Sequence, residues 1–128
     1  MVSTFAPRIL DWDETAVPLP YHHSNIQSEE VMFDAAGNYG ARKGVDVGCV
    51  TLHPSGRPHG PQPGTAERAL GATHTDELAV MWNTFQPLRL TSQWRAVHNA
   101  RYAFSWNEDK LADADPEPSA VGSSPARQ

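Results

Sequence analysis

Between residues 54 and 64 the chain carries four prolines and three glycines: Pro54-Ser55-Gly56-Arg57-Pro58-His59-Gly60-Pro61-Gln62-Pro63-Gly64. Proline holds φ near -65° and has no amide donor, so neither a helix interior nor a central strand can run through this stretch. It must be a stiff corner. A strand signal from Val47 to His53 runs into it. By the period of two, Val47, Cys49, Thr51 and His53 share one face while Val50 and Leu52 take the other. His53 and His59 thus stand on either side of Pro54, Gly56 and Pro58. Eleven prolines in 128 residues, about twice the usual share, extend the same reading to the whole chain. Strands joined by stiff corners are expected, not a helical bundle.

The remaining elements follow from local pattern. Ser3 to Pro7 suits a short edge strand, and Asp11-Trp12-Asp13-Glu14 an exposed bend. Glu29 to Asp34 predicts a strand with Glu29, Val31 and Phe33 on one face, which puts Glu30 on the opposite, solvated one. Gly37-Asn38 supplies a turn. Thr65 to Leu70 suits one helical turn, and Ser92 to Val97 a short helix. Leu78 to Phe85 is the most apolar strand, hydrophobic on both faces as a strand covered on both sides would be. Residues 107–128 lack the apolar content to pack and read as a disordered tail. The organisation expected is a lead segment (1–18), a metal-binding core (19–90), a packing segment (91–106) and the tail.

Charge and cysteine content narrow the function classes. Of the formal charge of -5, the tail contributes -3, through five acids against Lys110 and Arg127. The body at -2 offers no electrostatic case for nucleic acid or an anionic membrane surface. Cys49 is the single cysteine, so no internal disulfide can form and a cytoplasmic location is the natural expectation. No run is long or apolar enough to span a bilayer.

The chemistry concentrates in two stretches. Pro20-Tyr21-His22-His23-Ser24-Asn25-Ile26-Gln27-Ser28-Glu29 is the first, and the corner that holds His53 and His59 the second. Two imidazoles and a carboxylate are the set a non-haem Fe(II) site uses when it must leave positions open. His23 and Glu29 are six residues apart, an even number, so an extended chain would aim both to one side. A straight strand would still part them by roughly 20 Å, so the chain must bend, and Ser24, Asn25 and Ser28 tolerate a bend.

Gly48, Pro54, Gly56 and His59 together resemble the second motif of the cupin superfamily, and His23, Asn25 and Glu29 resemble the first. The likeness narrows further. The stretches Pro20 to Glu29 and Leu52 to Pro61 are similar to the iron-binding region of homogentisate 1,2-dioxygenases. Glu77 to Met81 and Thr84 to Leu88 are similar to the region downstream of that site. The resemblance runs from about Ser3 to Trp106 and covers only the C-terminal part of that family's chain. It implies a mainly β, cupin-like fold (double-stranded β-helix or jelly roll), here incomplete. It further implies Fe(II) held by His23, Glu29 and His59, with His53 bonding the substrate's ring hydroxyl and Tyr39 contacting substrate beside His59. The implied reaction opens the ring of homogentisate with both atoms of O2, giving maleylacetoacetate. Three protein ligands would leave three positions for a ring hydroxyl, a carboxylate and O2. The missing family portion implies association with an N-terminal half or a homo-oligomer. His22 stands where the family often has tyrosine, which puts a second imidazole beside the proposed ligand.

Other residues carry blander readings. His74 and His98 have no partner pattern. Cys49 reads as a small buried hydrophobe, and Trp12, Trp82, Trp94 and Trp106 as packing residues.

Overall fold

The computed structural model describes residues 1–10 and 13–107. The chain forms β1 (Val2–Phe5), β2 (Arg8–Ile9), β3 (Glu29–Ala36), β4 (Val50–His53), α1 (Thr65–Ala69), β5 (His74–Thr75), β6 (Leu78–Thr84) and α2 (Trp94–Val97), then a 3-10 turn at Tyr102–Phe104. A four-stranded antiparallel sheet has the order β1-β6-β3-β4, and β2 pairs with β5 in a small ribbon. The architecture is mainly β, in keeping with a cupin-like fold. Asp11, Trp12 and residues 108–128, where most of the expected tail falls, lie outside the described residues.

Register decides which side chains meet. Directly opposed residues in an antiparallel pair project to the same face. Glu30 lies opposite His53 on β4 and Asn83 on β6, and Met32 lies opposite Thr51 and Met81. Phe5, Ala79 and Asp34 continue that face. Val31 lies opposite Leu52 and Trp82, and Phe33 opposite Val50 and Val80, on the reverse face. The reverse face is open: Val2 and Val50 are each 63% exposed and Trp82 39%. The expected cover on both sides of Leu78 to Phe85 is therefore not found among the described residues.

The inward face has an unusual composition. Four apolar residues (Met32, Tyr39, Ala41, Ala79) are buried among the described residues, against eleven polar or charged ones. Such an interior is not an oil core. Its polar groups must be satisfied by one another or by something bound.

Corners hold the site face in place. β3 ends at Gly37, φ +77°, where a Cβ would sit 2.1 Å from the Asp76 carbonyl oxygen. Only glycine permits that approach. The expected strand from Val47 begins only at Val50, because Cys49 N–H closes a turn onto the Asp46 carbonyl at 2.9 Å and Gly48 N–H reaches the Asp34 carbonyl at 2.8 Å. Cys49 is accordingly half-exposed, not buried as expected. Beyond the corner, Gln62 is 1% exposed; its side chain accepts from Lys43 N–H and donates to Ser105. That stitching fixes the proline-rich segment against residues 41–43.

Candidate metal centre

The two motif stretches meet through their backbones. His23 and His59 form an isolated antiparallel bridge, N–H to carbonyl in both directions at 2.9 and 2.8 Å. The approach depends on Gly60, since a Cβ there would lie 2.7 Å from the His22 ring and 2.8 Å from its Cα. The bridge places the two neighbouring histidines differently. The His23 ring faces His59, with centroids 4.5 Å apart, whereas His22 packs over Gly60.

One ligand-type atom each from His23, Glu30 and His59 lies within 4.8 Å of the others. Donors bound at about 2.1 Å to one ion lie roughly 3 to 4 Å apart, so modest side-chain movement brings these three onto a common centre. The carboxylate here is Glu30, not Glu29. Glu29 points to the reverse face and accepts a hydrogen bond from Leu88 N–H at 2.7 Å. Glu30, expected to be solvated, is only 8% exposed. The parity count from His23 fails because the chain between them bends, and a bend resets which side each residue faces. The phase of β3 is set instead by Met32 and Asp34 packing inward.

Hydrogen bonds orient each donor. Nδ1 of His23 lies 2.8 Å from the Tyr21 carbonyl, and Nδ1 of His59 lies 3.1 Å from the Arg57 carbonyl. A carbonyl can only accept, so both Nδ1 atoms carry the proton and both Nε2 atoms turn toward the site. Oε1 of Glu30 accepts from Asn25 at 3.4 Å and from Asn83 at 3.3 Å. That leaves Oε2 facing His59 Nε2 at 3.1 Å. A neutral imidazole lone pair and a carboxylate oxygen repel at that separation unless a cation, a proton or a metal ion, lies between them. The donor set therefore fits a divalent cation. Burial pushes the Glu30 pKa up, but the Asn25 hydrogen bond and the His59 and His53 imidazoles outweigh it and hold it below the usual carboxylate range.

His53 stacks on His59, centroids 4.3 Å apart, and its Nδ1 is 3.6 Å from Glu30 Oε2. Neither ring nitrogen has a hydrogen-bond partner. Burial, reinforced by His59 and then Arg42, pushes its pKa down to about 4, so the ring is neutral at neutral pH. Tyr39 is 9% exposed, and burial pushes its phenol up to about 12, which keeps it a protonated donor. His23, Glu30, Tyr39, His53 and His59 all line one cavity of about 580 Å³, with Phe5, Leu19, Met32 and Met81 among its apolar walls. Its volume suits a small-molecule ligand.

The structure thus brings together His23, His53, His59 and Tyr39 and replaces Glu29 with Glu30. Asn83 went unnoticed in the sequence, although a polar residue inside the most apolar strand was a usable signal. Arg42 carried none beyond its nearness to Tyr39. Of the residues read as bland, Trp94 stacks on His98 with centroids 3.8 Å apart, and His74 lines the same cavity.

Comparison with known proteins shows the family of the chain. Residues 2–112 match the family described as homogentisate 1,2-dioxygenase C-terminal. A protein of Saccharolobus solfataricus named "Putative dioxygenase" is 36% identical over 108 residues. The match covers 83% of this chain and 28% of that relative, so the chain spans less than a third of its length.

Proposed function

This chain belongs to the homogentisate 1,2-dioxygenase C-terminal family, and on that premise we propose that it carries the iron-binding half of an oxidative ring-cleaving site acting on homogentisate. The observation that supports this most is the His59 Nε2 to Glu30 Oε2 contact at 3.1 Å, with His23 in reach. His23, Glu30 and His59 would hold Fe(II), which when bound supplies the coupling of O2 to an electron-rich aromatic ring that closed-shell organic groups cannot achieve. The chain's own residues do the rest. Neutral His53, with two unpartnered nitrogens, holds the proton of a ring hydroxyl beside the ion. Its low pKa suits a hydrogen-bond partner better than a strong base. Tyr39 donates from the cavity wall, and Met32, Met81 and Phe5 exclude water. The overall change inserts both oxygen atoms into homogentisate and yields maleylacetoacetate.

Anaerobic Fe(II) titration followed by O2 uptake with homogentisate tests this reading. One iron per site and one O2 per ring cleaved are expected; no iron binding at neutral pH refutes it.

A second reading concerns assembly and rests on the open reverse face of the sheet. Val2, Val50 and Trp82 expose apolar surface there, and Phe85 just beyond β6 is 69% exposed. On this reading the chain works with a covering partner, either an N-terminal half of the family fold or a second copy, and is inactive alone. Light scattering decides it, since a stable monomer with full turnover would contradict it. Among the described residues no helix is long and apolar enough to cross a membrane.

A further inference from the structure

Among the described residues Arg42 is a buried cation with no acidic partner. It is 7% exposed, and no described carboxylate lies within ion-pair distance of its guanidinium. It donates to the Gly60 carbonyl and, at 3.4 Å, to the Ala41 carbonyl, and its Nε–H has no acceptor. Its Cζ lies 5.9 Å from the Tyr39 ring centroid and 5.3 Å from that of Trp106. Aromatic faces and carbonyls soften the burial of a cation but do not neutralise it. Buried charges in folded proteins are paired or bind something.

The cavity supplies the setting. Six formally charged side chains line it: Arg8, Arg42, Arg68, Glu30, Asp76 and Glu77. Three positive and three negative groups leave its formal charge at zero, and Arg8 is already opposite Glu77 at 3.9 Å. A divalent ion on Glu30, His23 and His59 then adds two uncompensated positive charges. With Arg42 unpaired in the same cavity, an anionic occupant balances the site and a neutral one does not.

We infer that Arg42 is the specificity-determining residue that selects a carboxylate-bearing aromatic ligand over its neutral counterpart. This rests on the metal-centre reading for the position of the aromatic ring, but the charge argument concerns Arg42 itself. A carboxylate that gives one oxygen to the ion keeps its second oxygen for a guanidinium, whose planar N–H array matches it.

The test uses the full chain, metal-free and Fe(II)-loaded, titrated anaerobically with 2,5-dihydroxyphenylacetate and with 2,5-dihydroxyphenylacetamide. Binding is followed by the fluorescence of Trp106, which lies over Arg42. The acid is expected to bind roughly 10- to 100-fold tighter than the amide in the wild type, the scale of one charge-assisted hydrogen bond. Arg42→Met should abolish that preference and Arg42→Lys should retain part of it. Fe(II) affinity of each variant, read separately, reports whether loss of the Gly60 contact has disturbed the centre. Equal binding of acid and amide by the wild type, or an undiminished preference in Arg42→Met or Arg42→Lys with weakened Fe(II) binding, overturns the inference. An Arg42-dependent preference in metal-free protein that consumes no O2 once loaded supports the inference and sinks the ring-cleavage reading. O2 uptake with no acid preference does the reverse.

Discussion

Glu29→Gln and Glu30→Gln are the same chemical change one residue apart, and the structure assigns them opposite consequences. In the wild type Asn25 and Asn83 occupy Oε1 of Glu30, leaving Oε2 for the histidines. A glutamine at 30 keeps its carbonyl under those two amide donors, which turns its NH2 toward His59 Nε2. The repulsive pair becomes a neutral hydrogen bond, so the fold survives while the anionic ligand is gone. Structural four-ligand sites bind metal with about 10–16 kcal/mol, so one ligand is worth roughly 3 kcal/mol, on the order of a 100-fold loss in affinity. Glu29 by contrast bonds Leu88 N–H at an exposed position. Its glutamine can accept the same bond, so metal affinity should stay within about twofold and stability within about 0.5 kcal/mol. Anaerobic calorimetric titration with Fe(II), repeated with Zn(II) to avoid oxidation, reads both variants, and circular dichroism confirms that they fold. Loss of metal in Glu29→Gln with retention in Glu30→Gln would refute the strand phase and the donor set built on it.

His23→Ala should lose metal affinity on the scale of Glu30→Gln, while His22→Ala should leave it unchanged in the same titration. Gly37→Ala sets a Cβ 2.1 Å from a backbone oxygen at φ +77°, so a loss of roughly 1–3 kcal/mol is expected from thermal melts. His53 carries a folded-state pKa lowered to about 4 by burial. Between about 6.5 and 4 the unfolded chain takes up a proton that the folded chain refuses, so His53 costs stability as pH falls through that window. His53→Asn should flatten this part of the stability profile, lower turnover and leave Fe(II) affinity in place. Asp34 is 2% exposed with neither carboxylate oxygen partnered, and burial, then Asp46, pushes its pKa up. Its ionised form therefore costs stability at neutral pH. Asp34→Asn should be more stable at pH 7, by on the order of 1 kcal/mol, and the advantage should fade as acid protonates the wild type.

Much of the local structure was legible because it depends on near neighbours. Proline and glycine between 54 and 64 dictate a corner wherever the chain sits, the strands at β3 and β4 follow from side-chain alternation, and β6 follows from its apolar run. The short helices near Thr65 and Trp94 were legible too. That His23 and His59 belong together was readable from the likeness of their two stretches to known motifs; local stiffness fixes only the corner that holds His59.

Tertiary structure alone decided which glutamate enters the site. Alternation says that Glu29 and Glu30 face opposite ways, but it does not say which way is inward. That choice belongs to cross-strand register, which sets Glu30 between His53 and Asn83, and to the burial of Met32 and Asp34 on the same face. Asn83 lies 53 residues from the Glu30 carboxylate it bonds and Arg42 lies 18 from the Gly60 carbonyl, and only folding brings each pair together. Residue types and backbone stiffness are local properties written into the chain; the sign of a strand face and the balance of charge in a cavity exist only once distant segments pack.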